Sequence, residues 1–156
     1  MSLKASIDIA APPAAVRAKF LDFAALPSYT RAFESIASPR PGTELAKGDS
    51  VTVKLANSPA FTGVIQQNTP ALFSWTGSLP FIFTGTHQFR FEPSEKNPGG
   101  TLFVQEEAFS GALSPLMGEN LVARGLGFRE KTRAAWEGFN ADLKGVCERE
   151  AAGTKA

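Results

Sequence analysis

The sequence is poor in the groups that most protein chemistry uses. It has one cysteine, Cys147, in 156 residues, so no intrachain disulfide can form and no cysteine-rich zinc site can be assembled. A single histidine, His87, excludes the usual multi-histidine metal sites. Charge of one sign is lacking too. Sixteen Lys and Arg against fifteen Asp and Glu leave +1 at neutral pH, without the basic excess of a nucleic-acid binder. No run approaches the ~18–20 apolar residues of a membrane span, so no stable membrane insertion is expected. The alternating N-terminus lacks the continuous apolar stretch of a signal peptide. No P-loop, G-x-G-x-x-G, G-x-S-x-G or HExxH motif is present, and no metal or cofactor is expected. With one thiol and no export signal, a cytoplasmic location is the expectation.

Phenylalanine is what the chain has in plenty: thirteen, against one Tyr and two Trp. Phe buries large area without a polar atom, so this composition builds either an oil-like interior or a cavity. The length suits one domain, able to bury roughly 68–70% of the surface its unfolded chain exposes.

Hydrophobic periodicity orders the elements. Leu3, Ala5, Ile7 and Ile9 alternate with polar residues, which is a strand with one buried face. Pro12 and Pro13 then open a helix over residues 13–25, with Val16, Phe20 and Phe23 at helical spacing. Pro27 breaks it, and a second short helix is expected from Ser28 to about Phe33. Strand patterns follow at residues 35–38, 51–55, 61–69, 72–79, 84–92 and 101–110, separated by Pro, Gly and Asn turns. The last forty residues change period to three or four, which predicts one long amphipathic helix from about Pro115 or Gly118 to Glu148. Gly125 and Gly127 inside it mark either close packing or a kink. The domain is expected over residues 3–149, with 150–156 as a flexible tail.

Runs of strands followed by helix indicate α+β. Tight turns imply an antiparallel meander, and a sheet of six or seven strands twists and curls. Only the final helix is long enough to cover the concave face.

Several local patterns in this order resemble the Bet v 1-like/START superfamily, also called the SRPBCC or polyketide cyclase/dehydrase group. They are Ile9-Ala-Ala-Pro-Pro13 leading into the Val16/Phe20 helix; Asp22, Pro27 and Tyr29; Gly48-Asp-Ser-Val51; Phe73-Ser-Trp75; Gly85-Thr-His87-Gln-Phe89-Arg-Phe91; Glu107-Ala-Phe109-Ser-Gly111; and Gly138-Phe139-Asn140 in the final helix. The resemblance implies a helix-grip fold: a curled six- to seven-stranded antiparallel sheet wrapped on a long C-terminal helix, two short helices after the first strand, and a hydrophobic cavity between sheet and helix. Members bind lipids, sterols and hormones, or cyclise and dehydrate polyketides, so the fold does not imply one activity.

His87 leads the candidate residues, because its imidazole titrates near neutrality and it shares strand parity with Phe89 and Phe91. A hairpin turning at Asn97–Gly100 pairs positions summing to about 195, which sets His87 opposite Glu107 or Ala108. The pair is read either as an acid–base couple reaching a ligand or as a buried hydrogen-bonded contact that fixes the sheet. The opposite parity would turn Glu106 inward instead. Gln105 on the same face is suited to a ligand oxygen. The resemblance implies that Tyr29 lies at the cavity rim. Phe33, Trp75, Phe89, Phe103, Phe109, Phe128, Thr132 and Trp136 complete the expected lining. Gly77 and Gly85 either leave room where larger side chains would fill it or mark bulges or turns.

The leading functional expectation is a protein, monomeric or homodimeric, that holds a small hydrophobic molecule such as a lipid or polyketide. One alternative is a cofactor-independent cyclase, dehydratase or isomerase using His87 and Glu107. The other is a protein-interaction or chaperone-regulating module.

Overall fold

A computed structural model describes residues 2–79, 83–111, 115 and 120–155. The expected break at Pro80 and the helix start at Gly118 lie outside them. Seven strands, β1 (Ser2–Ile9), β2 (Phe33–Ala37), β3 (Ser50–Leu55), β4 (Phe61–Asn68), β5 (Leu72–Leu79), β6 (Phe83–Pro93) and β7 (Thr101–Ser110), form one antiparallel sheet in the order β1-β7-β6-β5-β4-β3-β2. Strands β2 to β7 are a meander, and β1 crosses to the far edge to pair with β7. Register shifts at Phe33/Ser35 and Ile65/Gln67 interrupt two of the ladders, and such bulges add bend to a twisted sheet.

Helix α1 (Pro13–Leu21) starts with proline at its first turn and buries Val16, Phe20 and Leu21. It is shorter than the expected 13–25. The backbone leaves helical geometry at Asp22, and a separate 3₁₀ turn spans Phe23–Ala25. Helix α2 (Leu26–Tyr29) also stops early, because Thr30 is extended. Phe33 opens β2 instead of closing a helix, which lets its ring enter the core 5.2 Å from that of Phe139.

The C-terminal helix is two helices. Gly127 has φ +66° and separates α3 (Leu121–Leu126) from α4 (Phe128–Lys155). A Cβ at Gly125 would meet nothing within 4 Å, so close packing is not its role, and the kink belongs to Gly127, whose left-handed backbone favours glycine. Helix α4 runs on through Lys155, past the expected end at Glu148. Residues 150–155, read as part of a tail, are helical, with Glu150 paired to Lys19 at 2.6 Å and Ala151 against the core. Polar contacts bind α4 along its length. Asp142 accepts from Thr30, Lys144 donates to the Asp8 carbonyl, and Glu148 accepts from the Ala10 amide. That amide, together with Lys144, holds the Glu148 carboxyl below its usual range.

The core is a ring cluster centred on Phe20. Phe23, Phe73, Phe89, Phe91, Phe103 and Phe139 all place their ring centroids 4.5–6.4 Å from it. Each fully buried Phe contributes on the order of 1.5–3 kcal/mol, and each favourable ring pair about 0.5–1.5 kcal/mol more. Helix α1 drives this ring between sheet and α4. Phe33, Phe89 and Phe103, expected from the sequence to line an open cavity, are buried members of this core cluster. A bulky residue at the inner face of α1 is the physical reason.

Candidate functional site

Sheet register decides which side chains meet. Trp75, His87, Glu107 and Leu3 stand in one row across β5, β6, β7 and β1. His87 pairs with Glu107, one of the two partners expected from the hairpin arithmetic. The convex face confirms the parity: Glu106 points outward and binds Arg90 at 2.8 Å, with Glu92 on the same guanidinium.

His87 is 8% exposed. Its ring stacks on Phe89 with centroids 4.1 Å apart and planes 6° from parallel, and Trp136 of α4 covers it at 4.6 Å. Trp75 meets it edge-on at 6.1 Å. Aromatic rings thus crowd the imidazole, and its two nitrogens make its polar contacts. One edge, Nε2, lies 3.0 Å from Gln105 Oε1. The other, Nδ1, lies 3.5 Å from Glu107 Oε2, and the Glu107 side chain is 19% exposed. The site reaches solvent on the Glu107 side.

Gln105 sets the proton arrangement. Its Nε2 donates to Asn140 Oδ1 at 2.7 Å and points at the Trp136 carbonyl, 3.4 Å away, which can only accept. Its Oε1 therefore faces the histidine, and His87 Nε2 must carry the hydrogen. A neutral imidazole has one N–H. In that form Nδ1 presents a lone pair to a carboxylate, and two acceptors oppose each other. The contact becomes complementary when a further proton sits on Nδ1 or on Glu107, or when a donor from another molecule enters. Asn140 completes the strand-to-helix link, yet its Nδ2 is buried without a hydrogen-bond partner. Its spacing from Trp136, four residues on one helix face, is the sequence signal for its place here.

A row of glycines flanks the pair. Gly63, Gly77 and Gly85 are in register across β4, β5 and β6, with Phe109 next on β7. Gly77 and Gly85 do not leave the open room expected of them. A Cβ at Gly77 would stand 2.9 Å from the Phe61 ring, one at Gly63 would stand 3.2 Å from Trp75, and one at Gly85 would collide with the Glu107 carboxylate. Neighbouring side chains lie flat across the glycines, and Gly85 is what allows Glu107 to lean toward His87.

The other expected residues divide. Trp75, Gln105 and Trp136 are at His87. Phe109 packs beside Leu3 and Trp136 at the same end. Thr132 is half-buried and Phe128 is 47% exposed, so Phe128 stands outside the interior. Tyr29 and Phe33 belong to the main core cluster, and no ring contact joins them to His87. The Tyr29 hydroxyl is buried without a partner, and desolvation, helped by Cys147 and nearby carboxylates, raises its pKa. A separate groove of about 320 Å³ lies between α1 and the end of α4, lined by Pro12, Ala15, Cys147, Glu150, Ala151 and Thr154. Among the described residues, no three His, Cys, Asp or Glu converge to hold a metal ion, and no helix is long and apolar enough to cross a membrane.

A curled seven-stranded antiparallel sheet closed on a long C-terminal helix is the helix-grip architecture. The chain belongs to the family described as polyketide cyclase/dehydrase and lipid transport, whose model matches residues 1–148. Solved structures share the fold. The hypothetical protein jhp0584 of Helicobacter pylori is 10% identical with a TM-score of 0.73, over 94% of this chain and 88% of its own. The Zhui aromatase/cyclase of Streptomyces sp. R1128 is 14% identical, TM-score 0.69, over 97% and 95%. A START superfamily protein of Mycobacterium smegmatis is 13% identical, TM-score 0.64, over 95% and 97%. No curated protein matches by sequence.

Proposed function

We propose that the chain binds one small, mostly apolar molecule at the His87–Glu107 end of the sheet–helix interface and seats a hydroxyl or carbonyl of that molecule against the polar pair. One observation carries the reading. Among the described residues, a connected polar chain runs from Glu107 through His87 and Gln105 to Asn140, and its solvent-reaching end sets His87 Nδ1 3.5 Å from Glu107 Oε2, two acceptors whenever the imidazole is neutral. A mismatched buried polar contact costs about 1–3 kcal/mol. A ligand hydroxyl entering beside Glu107 supplies the missing donor. Removal of ligand surface from water, at roughly 25 cal/mol per Å² before binding costs, supplies the affinity.

The same geometry favours a second reading, in which the pair moves a proton on the bound molecule. A proton held between Nδ1 and Glu107 is one that a general acid delivers and the carboxylate later recovers. Family membership and the fold shared with an aromatase/cyclase support cyclisation, dehydration or isomerisation as the reaction class.

The test uses 2-naphthol, an apolar ring system with one hydroxyl, and naphthalene as the control lacking it. Naphthol fluorescence titration is expected to show saturable binding, weakened about ten-fold by Glu107→Gln and by His87→Ala, with naphthalene unaffected. Equal naphthol affinity in wild type and both variants would place the ligand elsewhere, with the Cys147 groove next in line.

A further inference from the structure

Four large apolar side chains are exposed among the described residues, and three of them fall within seven positions: Val122 at 65%, Leu126 at 47% and Phe128 at 47%. They sit on α3 and the first residue of α4, around Gly127. Val122 and Leu126 are four apart on one helix, so they share a face. The same stretch is where the chain concentrates positive charge. Residues 120–133 contain Arg124, Arg129, Lys131 and Arg133 against one carboxylate, Glu130, in a chain whose total is +1. Arg129 donates to the Ser2 carbonyl at 3.0 Å and ties the start of α4 to β1. Arg124, Lys131 and Arg133 are exposed and form no ion pair with the described residues.

We propose that this patch docks the protein, reversibly and without insertion, on an anionic phospholipid surface. Exposed apolar side chains interleaved in one stretch with exposed cations fit a bilayer interface: the ring and methyls enter the acyl boundary while the cations meet lipid phosphates. The bland overall charge conceals this, because the remaining residues carry more carboxylates than cations and leave the attraction to one end of the molecule. Ser2 pairs with Ala108, beside Glu107 and Phe109, so the Arg129–Ser2 contact sets the patch at the end of the sheet where the polar site reaches solvent. The docking stands on exposure and charge alone and holds whether or not His87 and Glu107 bind a ligand.

Vesicle sedimentation tests it with the full chain. Phosphatidylcholine vesicles containing an equal part of phosphatidylglycerol are expected to pellet the protein at low salt. Pure phosphatidylcholine is not, and high salt is expected to release it. Each cation near the surface is worth about five-fold in affinity, so Arg124→Gln/Lys131→Gln/Arg133→Gln weakens binding by roughly a hundred-fold. Val122→Glu/Leu126→Glu is expected to abolish it, with the wild-type circular dichroism retained because both positions are exposed. Absence of wild-type binding to the anionic vesicles, or binding insensitive to salt, overturns the proposal without reference to any variant. A wild-type dimer that the Val122→Glu/Leu126→Glu variant dissociates, with no vesicle binding, assigns the patch to a second copy and overturns it equally.

Discussion

The two ends of the sheet–helix interface solve opposite problems with the same residue parity. At the Phe20 end, six phenylalanine rings crowd a seventh, and none of the seven carries a polar atom. At the His87 end, one stacking ring on Phe89 and one on Trp136 clamp an imidazole whose two nitrogens are each given a partner. The first arrangement maximises buried area. The second spends part of that area on a polar chain that is only partly complementary. The difference teaches that abundance of phenylalanine is not evidence of a cavity: here it fills the interior on one side and builds the walls of a polar site on the other.

That contrast is open to direct attack. Phe20→Ala removes the hub of the ring cluster and is expected to cost about 3–5 kcal/mol in urea unfolding, the largest effect of any single change. A loss below 1 kcal/mol would mean the interior is not close-packed around it. Gln105→Leu deprives His87 Nε2–H and Asn140 of a common partner, and a loss of about 1–3 kcal/mol is expected. Wild-type stability in this variant would show that the strand-to-helix bonds contribute nothing net. Gly85→Ala displaces the Glu107 carboxylate from His87. It is expected to reproduce the naphthol defect of Glu107→Gln while moving the unfolding midpoint little, and intact naphthol binding would separate Glu107's position from its role.

The smallest expected effect is at Cys147, a buried member of the cluster that contains Phe20. Burial, with Glu150 close by, pushes its thiol up to about 12. The folded value lies above the unfolded value of about 8.5, so the neutral thiol favours the native state. That contribution is complete below pH ~8.5 and declines as pH rises toward 12, where the unfolded chain releases the proton first. Cys147→Ala is expected to flatten this part of the pH–stability curve. An unchanged slope between wild type and variant would assign it to other groups.

Much of the site was legible because strand parity is a local property. The alternation of His87, Phe89 and Phe91, and of Phe103, Gln105, Glu107 and Phe109, needs only a period of two, and the Asn97–Gly100 turn sets their register. Gln105 was readable as an inward polar group. Its true partners, Asn140 and the Trp136 carbonyl, were not, since they lie 35 and 31 residues away on another element. The short helices were overextended for a similar reason. Thr30 and Phe33 follow tertiary demands, a hydroxyl bond to Asp142 and a ring seat on Phe139, that helical spacing does not register. Tyr29 was placed at a rim by resemblance, yet its hydroxyl is buried among core residues.

Order of elements and a pairing of His87 with Glu107 or Ala108 were determined by sequence alone, because steric periodicity and turn chemistry act over a few residues; the register chose Glu107. Which groups meet the two nitrogens of His87, and that Gly127 rather than Gly125 breaks the last helix, were decided only by the assembled structure. Those outcomes depend on which side chain arrives from a distant element, and no local pattern encodes an arrival.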